Sequence, residues 1–148
     1  MTVQAAPKPA TTRTVLGFDF GTKRIGVAVG QELTATAEAL ETVKVHQGRV
    51  DWAAIEQLVN TWQPHCFVVG DPRCATAGDH PLAPALLKFS RRLEGRFHRR
   101  VYFTDEALSS FEAEQRGAND TRFGLDAVAA QIILETWLVR ERHAGTPR

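Results

Sequence analysis

The stretch TVLGFDFGTKRIGVAVG, residues 14–30, decides the fold. Its first seven residues are apolar on both faces except for Asp19, the pattern of a central strand covered on two sides. GTKR then supplies a turn, and IGVAV gives a second buried strand. Working outward, residues 33–45 alternate weakly and offer a third strand, close enough to the others for an antiparallel meander. Asp51 can cap a helix whose apolar residues Trp52, Ile55, Val59 and Trp62 recur at helical spacing, until Pro64 stops it. CFVVG, residues 66–70, is a short buried strand, followed by the turn-rich loop DPRCATAGDHP. Leu82, Leu86, Phe89, Leu93 and Phe97 mark a second amphipathic helix, which delivers the chain to the strand VYFT, residues 101–104. Residues 107–115 suit a short helix, GANDTRFG a loop, and residues 125–140 a strongly apolar final helix. The order βββαβαβα with right-handed parallel crossovers predicts an α/β domain, a five-stranded mixed sheet flanked by helices. It covers residues 13–142, between loose tails at 1–12 and 143–148.

Composition bounds the function. The chain has 148 residues, 43% hydrophobic and 24% charged, which suits one globular domain with a real core. A net charge of +1 favours neither a nucleic-acid partner nor a membrane by itself, so any such reading rests on how charge is distributed. Two cysteines, Cys66 and Cys74, are too few for a disulfide framework and point to a reducing, cytoplasmic setting. His65, Cys66, Cys74 and His80 lack close paired-ligand spacing, so plain thiols are the better reading than a zinc site. No apolar run approaches a membrane span, and the first residues lack the apolar core of a signal peptide.

The informative residues are acids at strand ends. Asp19 ends an otherwise apolar strand, where a carboxylate without a partner is costly; it either forms the GTKR turn or belongs to a site. Asp105 and Glu106 end VYFT, and parallel pairing brings them to the same sheet edge, where ligands collect in such sheets. Asp126 shares a helical stripe with Ala130, Ile133 and Trp137, so the stripe that packs on the sheet carries a carboxylate in its first turn. Helix N-termini favour acids in any case. Carboxylates that converge repel unless cations intervene, and hard oxygen donors suit Mg²⁺ or Mn²⁺. Two such ions can activate water and stabilise the leaving oxygen of a phosphodiester. A polyanion fits the charge distribution: residues 88–100 hold six cations, among them Arg91 and Arg92, against one acid, whereas residues 105–126 hold six acids against Arg116 and Arg122. Lys23 and Arg24, in the turn beside Asp19, can contact phosphate or simply keep the turn soluble. No P-loop, dinucleotide fingerprint or nucleophile elbow is present.

FDFGTKRIGVAVG, FVVGDP, TDEALSS and LDAVAAQIIL, in this order and at these separations, resemble the YqgF family of RNase H-like nucleases, described as Holliday junction resolvase-like or pre-16S rRNA processing enzymes. The resemblance spans residues 14–140. It implies the RNase H-like fold with strand order 3-2-1-4-5, and Asp19, Glu106 and Asp126 as catalytic, metal-binding acids with Asp105 beside them. Two departures stand out: Ala107 replaces the Arg that usually follows Asp-Glu in the family, and Asp71 occupies a position that is usually apolar, as an auxiliary ligand or a loop cap. Three readings follow. The first is a metal-dependent endonuclease of pre-rRNA or branched DNA, monomeric or, as a junction resolvase, homodimeric. The second is a nucleotide phosphohydrolase of the actin and Hsp70 type, disfavoured because one domain cannot clamp ATP between two. The third is a non-catalytic RNA-binding assembly factor.

Overall fold

Thr14–Phe20 forms β1 at the centre of the sheet because nearly every residue in it can be buried. The computed structural model describes residues 13–71, 81–105 and 124–144. Around β1 lie β2 (Arg24–Gln31), β3 (Thr36–His46), β4 (Arg49–Val50), α1 (Trp52–Trp62), β5 (Cys66–Asp71), α2 (Ala83–Phe97), β6 (Arg100–Asp105) and α3 (Gly124–Ala144). The sheet order is β4-β3-β2-β1-β5-β6. β1 to β4 pair antiparallel in sequence, while β5 joins β1 and β6 joins β5 in parallel. The predicted meander, the two helical crossovers and the mixed α/β class are therefore present.

The strand count differs from expectation, six in place of five. The extra strand, β4, comes from a tight hairpin in which Val45 faces Val50 and His46 faces Arg49 across Gln47 and Gly48. Both loop residues have positive φ, 51° and 79°, the geometry of a two-residue turn whose twist matches that of the strands it joins. β3 also starts later than expected, at Thr36, because the chain turns between Gln31 and Ala35, whose N–H donates to the Gln31 carbonyl. Asp51 caps α1 as predicted, its side chain accepting from the Ala54 N–H. Gln63 ends that helix in the left-handed region just before Pro64. α3 continues through Ala144. The short helix expected over 107–115 lies outside the described residues, as does the 117–124 loop except for Gly124.

Strand alternation divides the core in two. Phe18, Phe20, Val27, Phe67 and Val69 turn to one face, where α1 and α2 cover them with Ile55, Val59, Leu86, Phe89 and Leu93. Val15, Ala28 and Val68 turn to the other, beneath Ala130, Ile133, Leu134 and Trp137 of α3. The α3 face is built from small residues. A methyl group at Gly26 would fall 1.8 Å from the Asp126 carbonyl oxygen, and one at Gly30 would meet Leu138 Cδ1 at 2.7 Å. Helix backbone therefore rests directly on strand backbone at Gly26.

Gly26→Ala should destabilise the fold by about 1–3 kcal/mol or more, because α3 must move for its methyl to fit. Gly95→Ala, in α2 where the added methyl meets nothing within 4 Å, should stabilise it by roughly 0.5–1 kcal/mol. Urea unfolding midpoints of the two variants check both signs.

Candidate active site

Asp19 occupies the carboxyl end of β1, half-buried, opposite Gly26 of β2. By alternation its side chain shares a face with Val15 and Gly17, the face covered by α3. Because Gly26 carries no side chain, the first turn of α3 settles against that same register position. Asp126 belongs to this turn, so residues far apart in sequence meet where the strand ends and the helix begins. The exposed N–H groups of a helix N-terminus favour a carboxylate there.

Arg24, the first residue of β2, stands two positions before Gly26 and so on the same face. Its Nε donates to Asp126 Oδ2 at 2.7 Å. The Arg24 side chain is 61% exposed and that of Asp126 32%, a setting in which an ion pair contributes about 1 kcal/mol or less. The pair is therefore easily exchanged: a cation can take the carboxylate, and a phosphate can take the guanidinium. Lys23 lies in the preceding turn, exposed, with its backbone carbonyl accepting from the Val45 N–H.

The two other parallel strands also finish in acids. Asp71 ends β5 and stands in register with Asp105, the last residue of β6. Asp71 is 4% exposed, and alternation groups it with Phe67 and Val69, on the opposite face of the sheet from Asp19. Thr104, buried, precedes Asp105. Glu106, Arg116 and Arg122 lie outside the described residues. Among those described, the strand ends thus bring Asp19 to Asp126 and Asp71 to Asp105. A carboxylate-only donor set such as Asp19 and Asp126 fits hard divalent ions, Mg²⁺ or Mn²⁺, and not a thiol-seeking metal.

A second group of metal-capable side chains, Glu32, His65 and Cys66, has donor atoms within 4.8 Å of one another at the opposite end of β1 and β5. Burial pushes the Cys66 thiol up to about 12, so the thiolate a metal needs is disfavoured. Burial lowers His65, which favours the neutral imidazole, and its Nε2 lies 2.9 Å from Glu32 Oε2. Cys74 and His80 lie outside the described residues.

Positive charge gathers on α2. Lys88, Arg91, Arg92 and Arg96 are all exposed there, with Lys88, Arg92 and Arg96 on one stripe at four-residue spacing. Arg96 lies over the Trp52 ring, 4.7 Å from its centroid. Two contributors to the site went unnoticed in the sequence: Gly26, which seats the helix, and the pairing of Arg24 with Asp126. A run of small residues at alternate positions, Gly26, Ala28 and Gly30, was the available signal for the first.

The chain is similar to a protein of Nitrosococcus oceani named "Putative pre-16S rRNA nuclease", 44% identical over 142 residues that cover 93% of each chain. A Hydrogenovibrio crunogenus protein of the same name is 48% identical over 124 residues, covering 84% of this chain and 92% of that one. Among solved structures, the fold is similar to Thermus thermophilus RuvC in complex with Holliday junction substrate, with a TM-score of 0.64 at 18% identity over 90% of this chain and 97% of that one. It is also similar to the fowlpox virus resolvase in complex with Holliday junction DNA, with a TM-score of 0.53 at 12% identity, covering 86% and 97%. The model of the RuvX family, described as Holliday junction resolvase, matches residues 13–140, and with relatives of this identity and coverage the chain belongs to that family.

Proposed function

We propose that this protein is a metal-dependent endonuclease of structured nucleic acid that acts in the cytoplasm in maturation of the 16S rRNA 5′ end. The observation that carries the reading is the meeting of Asp19, at the carboxyl end of β1, with the first turn of α3 and its Asp126. The names of the relatives, with their high identity over nearly the whole chain, support ribosomal RNA as the substrate class. No helix among the described residues is long and apolar enough to cross a membrane.

Asp19, Glu106 and Asp126 hold the divalent ions; Asp71 and Asp105, in register with each other and by alternation on the other face of the sheet, add negative charge at the same edge without ligating those ions. Two Mg²⁺ or Mn²⁺ ions held there would activate a water and offset charge on the leaving oxygen. The residues of the chain do the rest. Arg24 releases Asp126 and turns to a phosphate, an exchange made inexpensive by the exposure of the pair. Lys23, Arg91, Arg92, Arg116 and Arg122 grip the flanking phosphates without reading sequence. Because Ala107 offers no guanidinium beside Glu106, Arg24 carries more of the phosphate contact at the centre.

A second reading, resolution of branched DNA, draws on the family description. Two symmetric nicks need two clefts and hence a homodimer, so light scattering that finds only monomer on junction DNA refutes it.

Asp19→Asn and Glu106→Gln should each lower Mg²⁺-dependent cleavage of precursor rRNA by about 10²–10³-fold, the scale for removing one preorganised electrostatic group, while circular dichroism stays unchanged. EDTA should abolish cleavage and added Mg²⁺ restore it; undiminished cutting by both variants overturns the assignment.

Arg24→Ala should separate two roles. With its competitor gone, Asp126 should saturate with Mg²⁺ at a concentration lower by up to about fivefold, the equivalent of about 1 kcal/mol. KM for nucleic acid should rise at the same time. A metal titration of cleavage at two substrate concentrations reads both.

A further inference from the structure

Thr14, at the start of β1, stands five residues from Asp19, about 17 Å along the strand, and strand register gathers a different donor set there. Glu32 follows the end of β2, His65 precedes β5, and Cys66 opens β5 beside Val15 of β1. Their donor atoms, a carboxylate oxygen, an imidazole nitrogen and a thiol sulfur, lie within 4.8 Å of one another. The backbone ties two of them to consecutive residues: the Glu32 N–H donates to the Arg13 carbonyl and the His65 N–H to the Thr14 carbonyl, both at 2.9 Å. Cys66 is buried. The His65 and Glu32 side chains are partly exposed and open on a cleft of about 260 Å³ that Arg13, Tyr102, Trp137 and Glu141 also line.

We propose that Glu32, His65 and Cys66 bind one zinc ion, with its fourth position turned to the cleft and filled by water. A tetrahedral ion with ligands at about 2.0–2.3 Å sets neighbouring donors about 3.3–3.6 Å apart, so side-chain movement alone closes the group on an ion. The 2.9 Å contact between His65 and Glu32 opens by about half an ångström, and wider separations, none above 4.8 Å, close by up to about 1.2 Å.

The donors set the metal. A thiolate, an imidazole and a carboxylate suit zinc, whereas Mg²⁺ and Ca²⁺ take oxygen donors, so the ions of the carboxylate site do not compete here. Burial favours a neutral imidazole at His65; with its proton on Nδ1, it gives the Nε2 lone pair to the ion. The Cys66 thiol keeps its proton only while no cation faces the sulfur. Coordination deprotonates a thiol outright, and that proton leaves to solvent. Glu32, Glu141 and the thiolate then bring three negative charges against Arg13 and a divalent ion, so the group as a whole is neutral. The ion ties the end of β2 to the start of β5 across β1, a staple at the end of the sheet away from Asp19 and independent of the nuclease reading.

The test uses the untagged full chain carrying Cys74→Ser, which leaves Cys66 as its one thiol. The protein is stripped with EDTA, returned to chelator-free buffer without oxygen, and titrated with Co²⁺ as an optical stand-in for zinc. The expected result is a near-ultraviolet charge-transfer band from thiolate to cobalt that saturates at one ion per chain, persists in excess Mg²⁺ and disappears when Zn²⁺ is added. Glu32→Gln and His65→Ala, at partly exposed positions, should each weaken Co²⁺ binding by about 10-fold or more, since loss of even a partner behind a ligand has an effect of that size. Cys66→Ser should remove the band; if that buried substitution unfolds the chain, the other two variants carry the decision. Absence of the band in the parent overturns the proposal. So does a band of equal affinity in the parent, Glu32→Gln and His65→Ala, which would mark a thiol that takes up metal adventitiously.

Discussion

At Gly26 the backbone of a helix lies against the backbone of a strand, closer than any side chain permits, and the rest of the site follows from that contact. A larger residue there would hold α3 off the sheet and carry the Asp126 turn away from the strand end where Asp19 stands. The contact also sets the register of the whole helix. With its first turn pinned at Gly26, Leu134 lies against Gly17 and Leu138 against Gly30, so Ile133 and Trp137 reach the positions from which they seal Val15 and Val68. Packing energy and site geometry are here one quantity, because the interactions that bury α3 also aim its N-terminus.

Gathering acids at strand ends has an electrostatic cost that the fold meets in two ways. Asp126 gains a helix N-terminus and a guanidinium. The Arg24 pair is weak by virtue of its exposure, and weakness is what a binding site requires: an acid locked into a buried ion pair would resist exchange with a cation or a phosphate by several kcal/mol. At the other end of the sheet Glu32, His65 and Cys66 have donor atoms within 4.8 Å of one another, and burial there raises the thiol to about 12.

Much of this was legible in the sequence, and for identifiable reasons. The seven residues of β1 could be read from an apolar run broken only by Asp19, and the inward aim of Asp126 from its stripe with Ala130, Ile133 and Trp137. The β3–β4 hairpin was hidden because its turn is Gln47–Gly48, without the Asn-Gly or Asp-Gly pair that signals such turns, and because β4 is only two residues long. The Arg24–Asp126 bond could not be read at all: it depends on the register of β2 under α3, which no local pattern encodes. The sequence grouped His65 and Cys66 with Cys74 and His80, whereas the neighbour supplied by the antiparallel register of β1 and β2 is Glu32.

The two faces of the sheet bear different burdens. One is small and flat, Gly17, Gly26, Ala28 and Gly30 under a single long helix, and it lets helix and strand backbone come into direct contact. The other is large and aromatic, Phe18, Phe20, Phe67 and Phe89 beneath two helices. Asp19 and Phe20, adjacent in β1, project into these two environments in turn. A strand that ends this way offers charge on one side and an apolar surface on the other within one residue.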